Sequence, residues 1–176
     1  MNLIVEIEEK DVLINGGFRL EKYQRLRRAA RVILFNENGD VALICIPVLS
    51  LYKLPGGEIK PKEKIGSALK RNVLEETGYS IKNIISLGRI LEFKNKYSQL
   101  QKSYYFICHT SGMPRAISRE LENGQNRFAL MWMNLDAAIE TMNKSLPAEY
   151  TPKFIRKRDL AALTKAKILL SNLNCP

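Results

Sequence analysis

The chain has 176 residues, 45% hydrophobic and 26% charged, which is ordinary for a soluble globular protein and enough to bury a proper core. Its 28 Lys and Arg against 18 Asp and Glu leave a net charge of +10, consistent with two solvated basic surfaces or with attraction of a polyanion. A lone histidine, His109, and three cysteines (Cys45, Cys108 and Cys175) without CxxC or zinc spacing argue against structural zinc, a disulfide framework and Ser-His or Cys-His machinery.

Residues 3–14 alternate loosely and predict an early strand or hairpin; Glu6, Glu8, Glu9 and Asp11 interrupt any signal-peptide pattern. A basic lead-in, 23–31, precedes a β-rich run at 30–35, a hairpin turn at Asn36-Glu37-Asn38-Gly39-Asp40 and a partner strand at 41–46. The longest apolar stretch, 41–52, is short and contains Pro47, so no membrane span is expected. Residues 81–87 and 89–93 read as strand broken at Gly88, 103–109 as the strongest strand, 110–124 as a long connection and 128–133 as a further strand. A short helix capped by Asn134 covers 135–142, residues 147–152 are irregular, and a terminal helix covers 154–173. Strands around a central helix, then a final helix, predict an α/β fold: one domain over 1–176, a mixed β-sheet between helices, with 1–27 as an extension of uncertain role. A reduced, cytoplasmic setting fits the cysteine usage.

The most informative stretch is 57–79, GEIKPKEKIGSALKRNVLEETGY, preceded by Leu54-Pro55-Gly56. Ile65, Leu69 and Val73 recur every four residues, giving a helix with one apolar face, and Gly78 stands where a left-handed helix cap is expected. On another arc lie Ala68, Asn72, Glu75 and Glu76, with Glu76 close to the apolar stripe. A carboxylate at a core edge, beside a second one and at the negative end of a helix dipole, is costly unless a cation pairs with it. A solvated acidic helix end is the plainer reading; Mg²⁺ or Mn²⁺, which takes one or two carboxylates and completes its shell with water and phosphate, is the other.

These residues resemble the Nudix box of the Nudix (MutT-like) hydrolases: Gly57, then Glu63, then Arg71, Val73, Glu75, Glu76, Gly78 and Tyr79 at the family's spacings. Asn72 stands where the pattern has a glutamate. The resemblance implies a Nudix α/β/α sandwich over roughly residues 28–170. It also implies metal-dependent hydrolysis of a diphosphate linkage in a nucleoside diphosphate derivative, of nucleotide or nucleotide-sugar class. It assigns Glu75 and Glu76 to Mg²⁺ or Mn²⁺ and gives Glu63 a ligand or structural role. Gly57 and Gly56 let the backbone approach metal and substrate closely, and Arg71 orients carboxylates. An amide at Asn72 can coordinate but cannot accept a catalytic proton, so Glu120 and Glu122, in a later loop, are the alternative bases; each also reads as a plain loop glutamate. Lys60 either holds phosphate or is a surface lysine. Tyr104, Tyr105, Phe106 and Trp132 read as core aromatics before base-stacking ones. The competing reading is a weakened Nudix module that binds a nucleotide or RNA, with no recognisable RNA-binding motif to support RNA. A monomer or homodimer is expected.

Overall fold

A computed structural model describes residues 1–117 and 128–173. Eight strands form one mixed sheet: β1 (Leu3–Ile7), β2 (Arg25–Phe35), β3 (Val41–Ile46), β4 (Leu51–Lys53), β5 (Gly56–Glu58), β6 (Ser80–Lys94), β7 (Gln99–Ser111) and β8 (Ala129–Met133). The main path runs β1-β6-β7-β2-β3-β4, with β5 paired to β2 and β8 to β3. β1 lies parallel to β6 and β2 parallel to β7, and the remaining pairs are antiparallel. Helix α1 (Ile65–Thr77) packs on one face, and α2 (Leu135–Lys144) and α3 (Tyr150–Leu173) on the other, as the expected sandwich requires.

The central strand β2 shows why. Successive side chains in a strand point to opposite faces. Ala30, Val32 and Leu34 join Leu69 and Val73 of α1 in one core, while Ile33 and Phe35 join Phe154, Leu163 and Ala166 of α3 in the other. With both faces covered, the strand reads as an almost unbroken apolar run. Arg31 falls in phase with Ile33 and Phe35, on the α3 side, and is only 4% exposed.

The predicted hairpin is present: Asn36 N–H donates to Asp40 O, the Asn36 side-chain oxygen accepts from the N–H groups of Asn38 and Asp40, and β3 returns antiparallel. Asn134 caps α2 by accepting from the Ala137 N–H at 2.8 Å, and α1 ends on Gly78 at φ 76°.

Four expectations need correction. The basic lead-in is itself strand, since β2 begins at Arg25. The stretch around Gly88 is one long strand in which Gly88 marks a register shift against β7, because a bulge absorbs the extra residue without ending the ladder. Thr110 and Ser111 extend β7 instead of starting the connection. Residues 150–152 belong to α3: Pro152 lies in its first turn, where a missing N–H costs nothing. Residues 3–7, in the extension of uncertain role, supply the edge strand beside β6.

Candidate active site

The site is built from the α1 helix and the loop that enters it. The Arg71 guanidinium grips Glu63 in two parallel bonds, Nε to Oε1 at 2.9 Å and Nη2 to Oε2 at 2.8 Å, while the Lys60 N–H donates to Glu63 Oε2 at 2.9 Å. The Arg71 bonds, and after them the Lys60 N–H, hold the Glu63 carboxyl down to about 2. Arg71 Nη2 also donates to Glu58 O at 3.0 Å, and Nη1 reaches Glu75 only at 3.4–3.5 Å. Arg71 and Glu63 thus form a brace that fixes the loop on the helix, and Glu63 spends its oxygens there. The Lys60 side chain is exposed and does not line the adjoining cavity.

Glu76 points inward, as its place near the apolar stripe predicts, and its carboxylate is engaged. Oε1 accepts from Lys53 Nζ at 2.9 Å and Oε2 from the Gly56 N–H at 2.8 Å. Burial lowers the Lys53 ammonium, and Glu76 opposes that effect. Glu75, the next residue around the helix, is half-buried.

Two glycines make the close approach. Gly56 has φ 130°, and a Cβ there would fall 2.4 Å from Ala30 O. A Cβ on Gly57 would fall 2.4 Å from Asn72 Oδ1. Asn72 is 1% exposed; its Nδ2 donates to Ala68 O at 2.8 Å and Glu58 O at 3.2 Å, and its Oδ1 accepts from Arg71 Nη1 at 3.2 Å. The amide is a staple between α1 and β5, and both its donors are used.

Beside Glu76 opens a cavity of about 550 Å³. Arg27, Arg31, Lys53 and Arg158 with Glu58, Glu76 and Glu149 supply its charged lining; Ile44, Ile46, Leu51, Phe128 and Ile155 supply apolar wall. Behind it lies a buried charge cluster. Arg158 donates Nε to Asp159 Oδ1 at 3.0 Å and Nη1 to Glu92 at 3.3–3.4 Å, and Lys94 reaches Glu92 at 3.0 Å. Asp159 accepts from Tyr105 and, at 3.0 Å, from the Leu54 N–H, so α3 anchors the loop that carries Gly56 and Gly57. Burial pushes the Lys94 ammonium down to about 8. For Glu92 and Asp159 burial pushes upward, yet Arg158 and the neighbouring cations outweigh it and hold both carboxyls below their usual range.

The structure therefore brings Glu63, Arg71, Asn72, Glu75, Glu76, Gly56 and Gly57 together, and leaves Lys60 aside. Glu120 and Glu122 lie outside the described residues. None of Tyr104, Tyr105, Phe106 and Trp132 lines the cavity; Phe128 does. Arg31 and Arg158, two of the cations behind the net charge of +10, are both buried in the interior and belong to no basic surface. Lys53 and Arg158, absent from the expected site residues, both line the cavity, and Lys53 pairs with Glu76. The in-phase position of Arg31 with Ile33 and Phe35 was the one available signal.

A divalent cation has two tests to meet here. Among the described residues no three His, Cys, Asp or Glu side chains come together as a closed cage. Glu75 and Glu76, consecutive residues in the last turn of α1, with the Gly56-Gly57 backbone against Glu76, do fit an open Mg²⁺ or Mn²⁺ site completed by water and substrate oxygen. Lys53 is the cation such an ion must share Glu76 with.

Comparison with known proteins bears on the family and the fold. The NUDIX domain family matches residues 25–154. A Bacillus subtilis (strain 168) protein, "Putative 8-oxo-dGTP diphosphatase", is 29% identical over 107 residues, covering 61% of this chain and 66% of that protein, so a third of it lies beyond the match. A Bos taurus diphosphoinositol polyphosphate phosphohydrolase 3-beta is 28% identical over 134 residues, 72% of this chain and 76% of that one. Among solved structures, that of an ADP compounds hydrolase superposes with TM-score 0.62 at 17% identity, covering 91% of this chain and 80% of the other; at that identity the likeness is one of fold.

Proposed function

The chain belongs to the NUDIX domain family, and from that premise we propose that it is a hydrolase of a phosphoanhydride bond in a nucleoside diphosphate derivative, dependent on Mg²⁺ or Mn²⁺. The observation that carries the proposal is the junction of Glu76 and the Gly56-Gly57 backbone with a cavity lined by Arg27, Arg31 and Lys53. The compounds in the relatives' names differ in their organic part, yet 8-oxo-dGTP, diphosphoinositol polyphosphate and ADP each carry adjacent phosphoryl groups.

The chemical obstacle is attack of water on a phosphorus shielded by negative oxygens. A divalent ion supplies charge neutralisation there and lowers the pKa of bound water. Glu75 and Glu76 would hold it, with Gly57 backbone nearby. Arg71 and Glu63 keep α1 and its entry loop in register, so that the carboxylates do not have to be organised at the moment of reaction. Lys53 and Arg27 offer cations to the phosphoryl oxygens, and the apolar wall with Phe128 shelters the organic part. Proton removal from water falls to Glu120 or Glu122 in this reading, since an amide at Asn72 cannot accept a proton.

A second reading, a module that binds a nucleotide or RNA without turning it over, draws on Asn72 and on the Lys53–Glu76 pair. Metal affinity separates the two. Calorimetric titration of Mn²⁺ into the chelator-treated protein is expected to show one binding event, weakened by about 10-fold or more in Glu76→Gln, at or beyond the loss typical of removing an outer partner of a metal ligand. Equal affinity in both proteins would remove the metal from the site and favour the binding module.

A further inference from the structure

Arg31 is a buried cation with no carboxylate partner within 4 Å among the described residues. Its residue is 4% exposed; Nη1 makes one long bond to Gly56 O at 3.3 Å, and Nε has no hydrogen-bond partner. No ion pair to it occurs among the described residues within 4 Å. Among the described residues of the neighbouring cluster three cations, Arg31, Lys94 and Arg158, share two buried carboxylates, Glu92 and Asp159, which draw on Arg31 from a distance without pairing with it. Arg158, 1% exposed, has an unpartnered donor of its own at Nη2. Both arginines line the cavity that carries Glu76.

An unpaired buried charge costs several kcal/mol, and a protein that needed only stability would place an apolar side chain there. Arg31 occupies a position in β2 where its neighbours in phase, Ile33 and Phe35, are core residues. Lys53 cannot serve as the anion's sole receptor, since Glu76 already holds it at 2.9 Å. The guanidinium has the planar, many-donor form that suits phosphoryl oxygens.

We propose that Arg31, supported by Arg158, is the cationic heart of a phosphoryl-binding subsite in this cavity, and that the anion completing its charge balance is a phosphoryl group of the substrate. This rests on the phosphoanhydride reading of the same cavity and adds to it which residue receives the phosphoryl group and why that residue is buried. Binding then removes an electrostatic penalty stored in the empty protein, so Arg31 is expected to favour ligand affinity at the expense of stability.

The test uses inorganic pyrophosphate in chelator-containing buffer, where binding is read by calorimetry without turnover. Wild type is expected to bind it, Arg31→Met to bind it at least about 10-fold more weakly, Arg31→Lys to fall between, and the exposed Lys165→Met to match wild type. Without ligand, Arg31→Met is expected to unfold at the same or a higher urea concentration than wild type. Wild type without pyrophosphate binding, equal affinity in Arg31→Met, or an Arg31→Met protein that fails to fold or melts well below wild type would each overturn the proposal. Malonate is the counter-probe: binding of this dicarboxylate in place of pyrophosphate would overturn the phosphoryl assignment. Arg31-dependent pyrophosphate binding in a protein that hydrolyses nothing would leave the subsite standing and the hydrolase reading fallen; hydrolysis with an unchanged KM in Arg31→Met would do the reverse.

Discussion

Glu92→Gln is expected to lower the free energy of unfolding by about 3–5 kcal/mol, the range for removing one partner of a buried ion pair. Glu92 is fully buried and faces Arg158 at 3.3 Å and Lys94 at 3.0 Å; Gln101 and Ser103 also donate to it. A glutamine keeps the volume and can still accept hydrogen bonds, yet it leaves Arg158 and Lys94 with only Asp159 as buried counter-charge, beside an Arg31 that already lacks one. Against a typical total of about 5–15 kcal/mol, the loss is large and should appear plainly as a shift in the urea midpoint. The same cluster sets the acid limit. Glu92 and Asp159 titrate below their unfolded values, so the stability they contribute is complete above the unfolded carboxyl range near 4–4.5 and disappears as pH falls through the lower folded values. Wild type is therefore expected to lose stability steeply below about pH 4, with a shallower slope in Glu92→Gln. A mutant as stable as wild type, or one with an unchanged acid slope, would show that the cluster does not carry this energy.

Asn72→Glu, which restores the family pattern, is expected to destabilise the protein by about 2–3 kcal/mol without raising turnover. Reading the helix as a wheel suggests that a third carboxylate there would join the metal pair. The structure shows an amide whose two N–H groups serve Ala68 O and Glu58 O, and whose oxygen packs against Gly57. A carboxylate has no N–H, so both carbonyls would lose a donor and meet negative charge, and the added methylene has no room where even a Cβ on Gly57 would come within 2.4 Å. Urea denaturation and steady-state rates measured on one preparation decide the matter. Unchanged stability with a rate gain of about 10²-fold would mean that the chain lacks only its base.

Much of the fold was legible because its causes are local. Four-residue spacing of Leu69 and Val73, Gly78 beyond them and the Asn36–Asp40 turn each act through neighbouring backbone. Parallel pairing of β1 with β6 could not be read, since it joins residues over eighty positions apart and rests on shape instead of a turn signal. The box located the acidic helix correctly and failed on what faces it. Spacing shows that Asn72 is no carboxylate, but not that its amide is consumed by backbone. The net charge of +10 does not reveal that Arg31 and Arg158 are interior, because a sum over residues carries no direction. Strand phase does carry direction: Arg31 is in phase with Ile33 and Phe35, and Glu92 and Lys94 are in phase with Ile90, all toward α3. A charged residue in phase with core residues is the sequence sign of a buried ionic cluster, and here that cluster anchors the Leu54–Gly57 loop through Asp159.

The most direct measurement of the central claim is turnover by the wild-type protein in water enriched in ¹⁸O, with Mg²⁺ or Mn²⁺. The panel comprises a nucleoside triphosphate, an ADP-linked compound, a UDP-linked sugar and a diphosphoinositol phosphate, and products are read by ³¹P NMR. Cleavage between two phosphorus atoms of at least one nucleotide is expected, with one ¹⁸O in one phosphoryl product and no reaction with chelator in place of metal. Substrates left intact throughout with both metals, or cleavage undiminished by chelator, would contradict that claim.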